Sequence, residues 1–308
     1  VYNRPQELEE LLASLALQTF KDFEVVIVED GSSIRSEHVV DAYRDRLTLS
    51  YYSKPNTGPG PSRNFGYVHA KGDYFIVFDS DCIIPPQYLQ VVDQSIKENK
   101  WDAFGGPDQA HKDFTPVQRA MGFTMSAFLT TGGIRGGKKR LGWFQPRSFN
   151  MGISRKVFEQ TNGFAFDRFA EDIEFSVRMK KAGFHVGLIP EAFVYHKRRT
   201  TFKQFYHQVF NFGRGRALVG KVHPEEVKIT HWIPAFFVVG VAGLLVTPLI
   251  NVQLFIWGVA LFFTYLLAIF GTAWKANNFY VALLSVPSAI LQLGGYGLGF
   301  LKERFRGK

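Results

Sequence analysis

Tyr74-Phe75-Ile76-Val77-Phe78-Asp79-Ser80-Asp81 is a run of five apolar residues that ends in two acids spaced by one. A short apolar run behind the turn-forming Lys71-Gly72-Asp73 reads as a buried strand. In near-extended backbone, side chains two apart point the same way, so Asp79 and Asp81 converge just past the strand end. Working outward, the same grammar occurs once before. Phe23-Glu24-Val25-Val26-Ile27-Val28 runs into Glu29-Asp30-Gly31-Ser32-Ser33. Ahead of it, Pro5 opens a segment with Leu8, Leu11, Leu12 and Leu15 on one helical face. Further helices are expected at about 36–46, 61–70 and 86–98, with strands at 47–52 and near Ala103. Strands alternating with helices predict an α/β fold, an open and mostly parallel sheet with helices on both faces. Ligands bind beyond the carboxyl ends of such strands, where Glu29/Asp30 and Asp79/Asp81 stand.

Beyond Gly106 the pattern changes. Residues 115–130 carry a broad apolar stripe with Arg119 as the one charge, which suits a core helix or one lying on a membrane surface. Residues 132–147 form a glycine-rich loop with five basic residues, Arg140 and Arg147 among them. Ser154 opens a helix that Asn162-Gly163 closes, and Glu171-Asp172 opens another that stops at Gly183.

The tail is different again. The 308-residue chain has a formal net charge of +9, yet 233–274 and 279–301 hold no charged residue. Segments 233–250 and 254–274 are each long enough to cross a bilayer and are joined tightly, as in a helical hairpin. A third crossing at 279–301 would leave Lys302, Arg304, Arg306 and Lys308 outside, while Pro287 and the surrounding glycines allow a bend instead. Eight Lys/Arg between 197 and 228 precede the hairpin, where positive-inside logic puts the cytoplasmic face. The expected division is an α/β ligand-binding domain at 1–196, a basic interfacial segment at 197–231 and a membrane domain at 232–308, so the chain is read as integral to a membrane. One cysteine, Cys82, excludes an intrachain disulfide, and no Cys/His spacing suggests structural zinc. The opening Val1-Tyr2-Asn3-Arg4-Pro5 lacks the apolar run of a signal peptide and reads as a strand end and turn, so a first strand is expected to be missing before it.

Paired carboxylates are hard ligands that suit Mg²⁺ or Mn²⁺ with open positions for a diphosphate. A lone acid-x-acid is equally a solvated turn. Here it stands in order within a larger set: Tyr2-Asn3-Arg4-Pro5, Glu29-Asp30-Gly31, Asn56-Thr57-Gly58-Pro59-Gly60-Pro61-Ser62-Arg63-Asn64, Asp79-Ser80-Asp81, Asn150-Met151-Gly152-Ile153, Gly163-Phe164 and Glu171-Asp172. As a set it resembles the inverting glycosyltransferases of family 2. The tail, with Tyr195-His196-Lys197-Arg198-Arg199 and Phe212-Gly213-Arg214-Gly215-Arg216, is similar to the membrane-anchored, succinoglycan-type members that build exopolysaccharide.

The resemblance implies a GT-A-like fold and transfer from a nucleotide diphosphate sugar, with a UDP-sugar the expected donor, to a lipid-linked polyprenyl or glycan acceptor. It assigns the metal to Asp81 with Asp79, the base to Asp30 or Glu29, the nucleoside side to Tyr2, the diphosphate to Arg63 and the general base to Asp172, with Glu171 beside it. Glu29 departs from the usual Asp, which leaves open which acid of that pair reads the base. His196 is either a third metal ligand, a diphosphate donor or a structural histidine. Glu171-Asp172 is otherwise a pair of acids in the first turn of a helix, where the dipole favours them. Arg140, Arg147, Arg214 and Arg216 are candidates for the acceptor diphosphate or lipid phosphates, and no nucleic-acid partner is expected. Two readings of other classes stay open: a haloacid-dehalogenase-type phosphatase with Asp79 as nucleophile, and a non-catalytic membrane-anchored binder of nucleotide or carbohydrate on the same fold.

Overall fold

The computed structural model describes all residues except 110–113, 132–142, 197–198 and 307–308. In chain order the described elements are α1 Pro5–Ala16, β1 Val25–Asp30, α2 Glu37–Asp41, β2 Leu49–Lys54, α3 Pro59–His69, β3 Tyr74–Phe78, β4 Cys82–Ile83, α4 Tyr88–Asn99, β5 Ala103–Gly105 and β6 Asp108–Gln109. There follow α5 Pro116–Ser126, α6 Phe128–Thr131, β7 Asn150–Ser154, α7 Arg155–Thr161, α8 Glu171–Lys181, β8 Val186–Leu188 and β9 Val194–His196. The last four helices are α9 Phe202–Val222, α10 Ile233–Val246, α11 Val252–Ala276 and α12 Phe279–Arg304. They sort into two compact units, Val1–His111 with Phe144–Lys197, and Lys112–Trp143 with Arg198–Lys308. Residues 112–143, expected inside the first unit, thus group with the apolar tail, because Met121 of α5 packs with Phe205 and Val209 of α9.

In the first unit the layered α/β plan holds, but the sheet is mixed rather than mostly parallel. β1 and β2 pair in parallel. β3, β7, β5 and β8 form a second sheet in that order, with β7 antiparallel to both neighbours. β4, β9 and β6 form a third, with β4 antiparallel to β9. The reason is that β7 and β9 return from the distant second half of the unit, β7 running against both its neighbours and β9 against β4 but along β6. Val1 lies beside β1: its amino group donates to the Val28 carbonyl at 2.7 Å, and the Asp30 N–H donates to the Val1 carbonyl at 2.9 Å.

Two apolar clusters fill the unit. The leucines of α1 are all buried, with Val40, Tyr88 and Phe104 around them. Tyr67, Phe75, Ile153, Phe175 and Met179 fill the other. Asn162 and Gly163 adopt left-handed φ at the end of α7, and Gly183 does so just past α8, as the sequence predicts.

In the second unit, α11 and α12 are long and apolar enough to cross a membrane, with 25 and 26 residues. α10 is shorter than expected. Thr247-Pro248 turns its last residues into the 3-10 turn Thr247–Leu249, and Asn251 caps α11 by accepting from the Leu254 N–H. Segment 279–301 forms one continuous helix despite Pro287. At α9 and α12 the backbones touch: a Cβ on Gly213 would lie 2.0 Å from the Tyr296 carbonyl oxygen.

Candidate active site

The two acidic strand ends of the first unit have opposite surroundings. Glu29 is fully buried: it accepts from the Ser36 N–H at 2.9 Å, the Tyr51 hydroxyl at 3.2 Å and the Ser32 hydroxyl. Burial, with Glu29 alongside, pushes the Tyr51 phenol up to about 12, so it stays a donor. Asp30 is nearly as enclosed. One oxygen takes the Lys54 ammonium and the Thr57 N–H, and the other takes the Gly58 N–H at 3.0 Å. Burial works to raise its pKa, but Lys54 and these N–H groups outweigh it and hold the carboxyl below its usual value. Both acids are therefore engaged in holding the loops that follow β1 and β2.

Asp79 and Asp81 follow β3 and meet cations from elsewhere in the chain. Asp81 Oδ2 accepts from Arg4 Nη1 at 2.6 Å, and its Oδ1 lies 3.1 Å from His196 Nε2 at the end of β9. Burial opposes ionisation of Asp81, yet the hydrogen bond and charge of His196, with Arg4, hold it well below the ordinary carboxylate range. His196 moves the other way, raised by Asp81 against the effect of burial. Asp79 is more open and accepts from Arg63 Nη2 at 2.9 Å.

Arg63 joins the strand end to the start of α8. Its Nη1 donates to Glu171 Oε1 at 2.7 Å while Nη2 holds Asp79, and the guanidinium lies over the Phe164 ring. Although burial disfavours its charge, Asp79 and Glu171 outweigh that and keep it cationic. Glu171 is buried, which raises its pKa; Arg63 opposes this and Asp172 adds to it. Asp172 is held less closely: Oδ1 accepts from the Ile173 N–H at 2.8 Å, while the Ser148 N–H and Arg147 Nη1 stand 3.5 and 3.6 Å from Oδ2.

The loop before Glu171 is fixed on α3. Gly60 has no room for a side chain, since a Cβ there would lie 2.0 Å from the Phe166 carbonyl oxygen. Its N–H donates to the Asp167 carbonyl at 3.1 Å, and Asn64 both donates to and accepts from the Phe164 backbone. Phe169 and Ala170 then take left-handed φ of 60° and 62°, a strained pair for side-chain-bearing residues, and turn the chain into α8.

The sequence-predicted residues thus fall into groups. Asp79, Arg63 and Glu171 are in contact, with Asp172 and Arg147 next along, and Asp81 and His196 are in contact. Glu29 and Asp30 are in neither group. Tyr2 is 53% exposed. Arg214 and Arg216 belong to the second unit, where Arg214 pairs with Glu303 at 2.9 Å and Arg216 is buried; Arg140 lies outside the described residues. Sequence reasoning assigned no role to Arg4, although it stands in the quoted motif, and a contact 77 positions away leaves no local signal.

The donor set admits a divalent cation. Asp81, His196 and Cys82 each present a ligand atom, all within 4.8 Å of one another. Burial and the neighbouring Asp79 and Asp81 push the Cys82 thiol up, so it is a protonated neighbour rather than a thiolate ligand. An ionised carboxylate beside an imidazole fits a borderline cation better than one that demands oxygen alone.

Comparison with known proteins bears on the same unit. The sequence pattern of the family described as "Glycosyl transferase family 2" matches residues 1–161. The poly(ribitol-phosphate) beta-N-acetylglucosaminyltransferase TarS of Staphylococcus aureus is 36% identical over 105 residues, which are 33% of this chain and 18% of TarS. The probable glycosyltransferase YdaM of Bacillus subtilis is 25% identical over 206 residues, 64% of this chain and 48% of YdaM. The matches thus span less than half the length of these relatives. Among solved structures, mannosyltransferase PcManGT from Pyrobaculum calidifontis, in complex with GDP-Man and Mn²⁺, superposes with a TM-score of 0.67 at 15% identity, covering 100% of this chain and 86% of that one. That likeness identifies a GT-A-like glycosyltransferase fold.

Proposed function

We propose, on the premise that this chain belongs to glycosyl transferase family 2, that it transfers a sugar with inversion from a nucleotide diphosphate sugar to a lipid-linked or glycan acceptor at the cytoplasmic face of a membrane. The observation that carries this reading is the Arg63 bridge, which ties the Asp79-Ser80-Asp81 strand end to the Glu171-Asp172 helix start. Inverting transfer needs these two chemistries side by side: charge to steady a departing diphosphate, and a carboxylate to take the acceptor proton. The family match displaces the phosphatase reading.

Asp81 and His196 would hold Mn²⁺ or Mg²⁺, the imidazole favouring Mn²⁺. When bound, the ion supplies Lewis-acid stabilisation of diphosphate charge. Arg63 offers a fixed guanidinium to the same charge. Glu171, committed to Arg63, positions it. Asp172, whose Oδ2 among the described residues makes only the long contacts to Ser148 and Arg147, would take the acceptor proton as the general base. Asp30 and Glu29 shape the nucleoside end of the site by holding the loops after β1 and β2 rather than by presenting free oxygens. Arg147, beside Asp172, would meet acceptor phosphate, whereas Arg214, paired with Glu303, and the buried Arg216 are better placed to hold the second unit together than to meet a phosphate. TarS is named for N-acetylglucosamine transfer and one TarS structure holds UDP-GlcNAc, which makes UDP-sugars the first donors to test.

The experiment is a thermal-shift and hydrolysis screen of nucleotide sugars with and without Mn²⁺, followed by transfer to a polyprenyl-linked acceptor. One nucleotide sugar is expected to stabilise the protein in a metal-dependent way and to be consumed. Absence of stabilisation by any nucleotide diphosphate, with or without metal, would sink the proposal.

A further inference from the structure

By length and composition α12 qualifies as a membrane span as α11 does, with mean hydropathy 1.5 and 2.2 over their most apolar windows. Contacts within the second unit separate the two. α10 and α11 form an antiparallel hairpin: a Cβ on Gly258 would lie 2.4 Å from the Leu244 side chain, and the Phe237 ring is 6.3 Å from Phe262 and 6.4 Å from Tyr265. Continuing that register sets Pro234, at the start of α10, level with Leu267 of α11. The two ends of α12 can then be located on the hairpin. Near its carboxyl end, a Cβ on Gly297 would lie 2.2 Å from the Pro234 carbonyl oxygen, and Phe300 meets Trp232 at 4.9 Å. At its amino end, Phe279 meets Phe270 and Trp274 at 5.6 and 5.7 Å.

Between Phe279 and Gly297 the helix rises about 27 Å. The points it touches on the hairpin, near Leu267 and between Phe270 and Trp274, differ in level by only about 7 Å. α12 therefore runs across the foot of the hairpin, much closer to perpendicular than parallel.

Its surface agrees. Half of the most apolar window of α12 is buried, against 6% for α11. Ser285, Ser288, Gln292 and Gly295 face inward, while Leu283, Pro287, Ile290 and Leu298 form an uncovered apolar stripe at helical spacing. Basic residues gather at this level: Lys228 before α10, Lys275 in the last turn of α11, and Lys302 and Arg304 at the end of α12.

We propose that α10 and α11 are the inserted hairpin and that α12 lies in the headgroup boundary of an anionic bilayer, so that these helices cross twice and α12 returns on the side from which α10 entered. The inference rests on the membrane reading above and resolves how that reading is built. Charge complementarity fixes the occupant: an apolar hairpin with cations at its foot and none at its tip suits a bilayer whose near leaflet carries phosphate.

Impermeant-maleimide labelling tests it in the full chain, in sealed inverted vesicles and in spheroplasts. Wild type is the blank, because Cys82 is 1% exposed. Single variants Asn251→Cys at the hairpin tip, Asn277→Cys between α11 and α12, Arg306→Cys beyond α12, and Glu98→Cys on the first unit are compared. Labelling of Asn277→Cys, Arg306→Cys and Glu98→Cys from one face, and of Asn251→Cys from the other, is the expected result. Labelling of Asn277→Cys and Arg306→Cys from opposite faces would make α12 a span and overturn the inference while leaving the membrane reading intact. Labelling of all four from one face would overturn the hairpin crossing. Recovery of the chain in the soluble fraction would remove the membrane reading itself.

Discussion

Two strand ends in one unit each present adjacent or near-adjacent acids, and they differ in who neutralises them. The acceptor bonds of Glu29 and Asp30 come from backbone N–H groups, hydroxyls and one lysine of the loop after β1, of β2 and of the loop after β2. Asp79 and Asp81 are met by Arg63, Arg4 and His196, side chains that arrive from three separate elements. Acids satisfied by local backbone hold a turn. Acids balanced by side chains from distant segments can give up a partner such as Arg4 for a ligand, because a side chain can swing aside where a backbone amide cannot.

The sharpest way to break this contrast is Asp81→Asn. With several kcal/mol of transition-state charge stabilisation at stake, turnover should fall about 10³-fold or more. The variant should still fold, with a lower melting temperature, because the ionised Asp81 is stabilised by His196 and Arg4. Wild-type turnover with unchanged metal dependence would move the site elsewhere.

Asp172→Asn comes next, with a loss in kcat of about 10²-fold or more and nearly unchanged donor affinity, as removal of a general base requires. Glu171→Gln should do less to kcat. A reversed order in steady-state kinetics would make Glu171 the base, and two near-neutral variants would return the pair to a mere helix start.

The smallest effect on chemistry is expected at Glu29→Gln. Losing an ionised acceptor for a buried N–H, a phenol and a hydroxyl should cost roughly 1–3 kcal/mol of stability. Denaturant titration measures that loss, and kcat of the folded enzyme should stay within about twofold. If nucleotide affinity falls instead while stability holds, Glu29 reads the base and the contrast between the two strand ends fails.

Much of the first unit was legible because its signals are local. The apolar run of β3, the Pro-led α1, the left-handed stop at Asn162-Gly163 and the acids opening α8 each depend on a few consecutive residues. The mixed sheet was not legible. β4, β8 and β9 are two or three residues long, and their partners are set by chain reversals more than 80 residues distant in sequence. α2 stops at Asp41 rather than near 46, since the following residues close successive turns, with Tyr43 and Arg46 donating to carbonyls three back. Among site residues, Asp79, Asp81, Arg63, Glu171 and Asp172 stood out by motif, whereas the Arg4 partnership depends on tertiary closure. Hydropathy likewise found α12 but carried no information about which way it runs.

The left-handed pair Phe169 and Ala170 sets a conflict for anyone redesigning this chain for heat tolerance. Each residue with a Cβ in that region gives up about 1–2 kcal/mol. Glycine at 170 is the obvious repair by conformational propensity. Yet glycine would also widen the range of directions in which α8 can leave the turn, and with it the spread of positions open to Asp172. The rule that makes the backbone more comfortable here loosens the aim of the carboxylate, so robustness is better sought at turns that aim nothing.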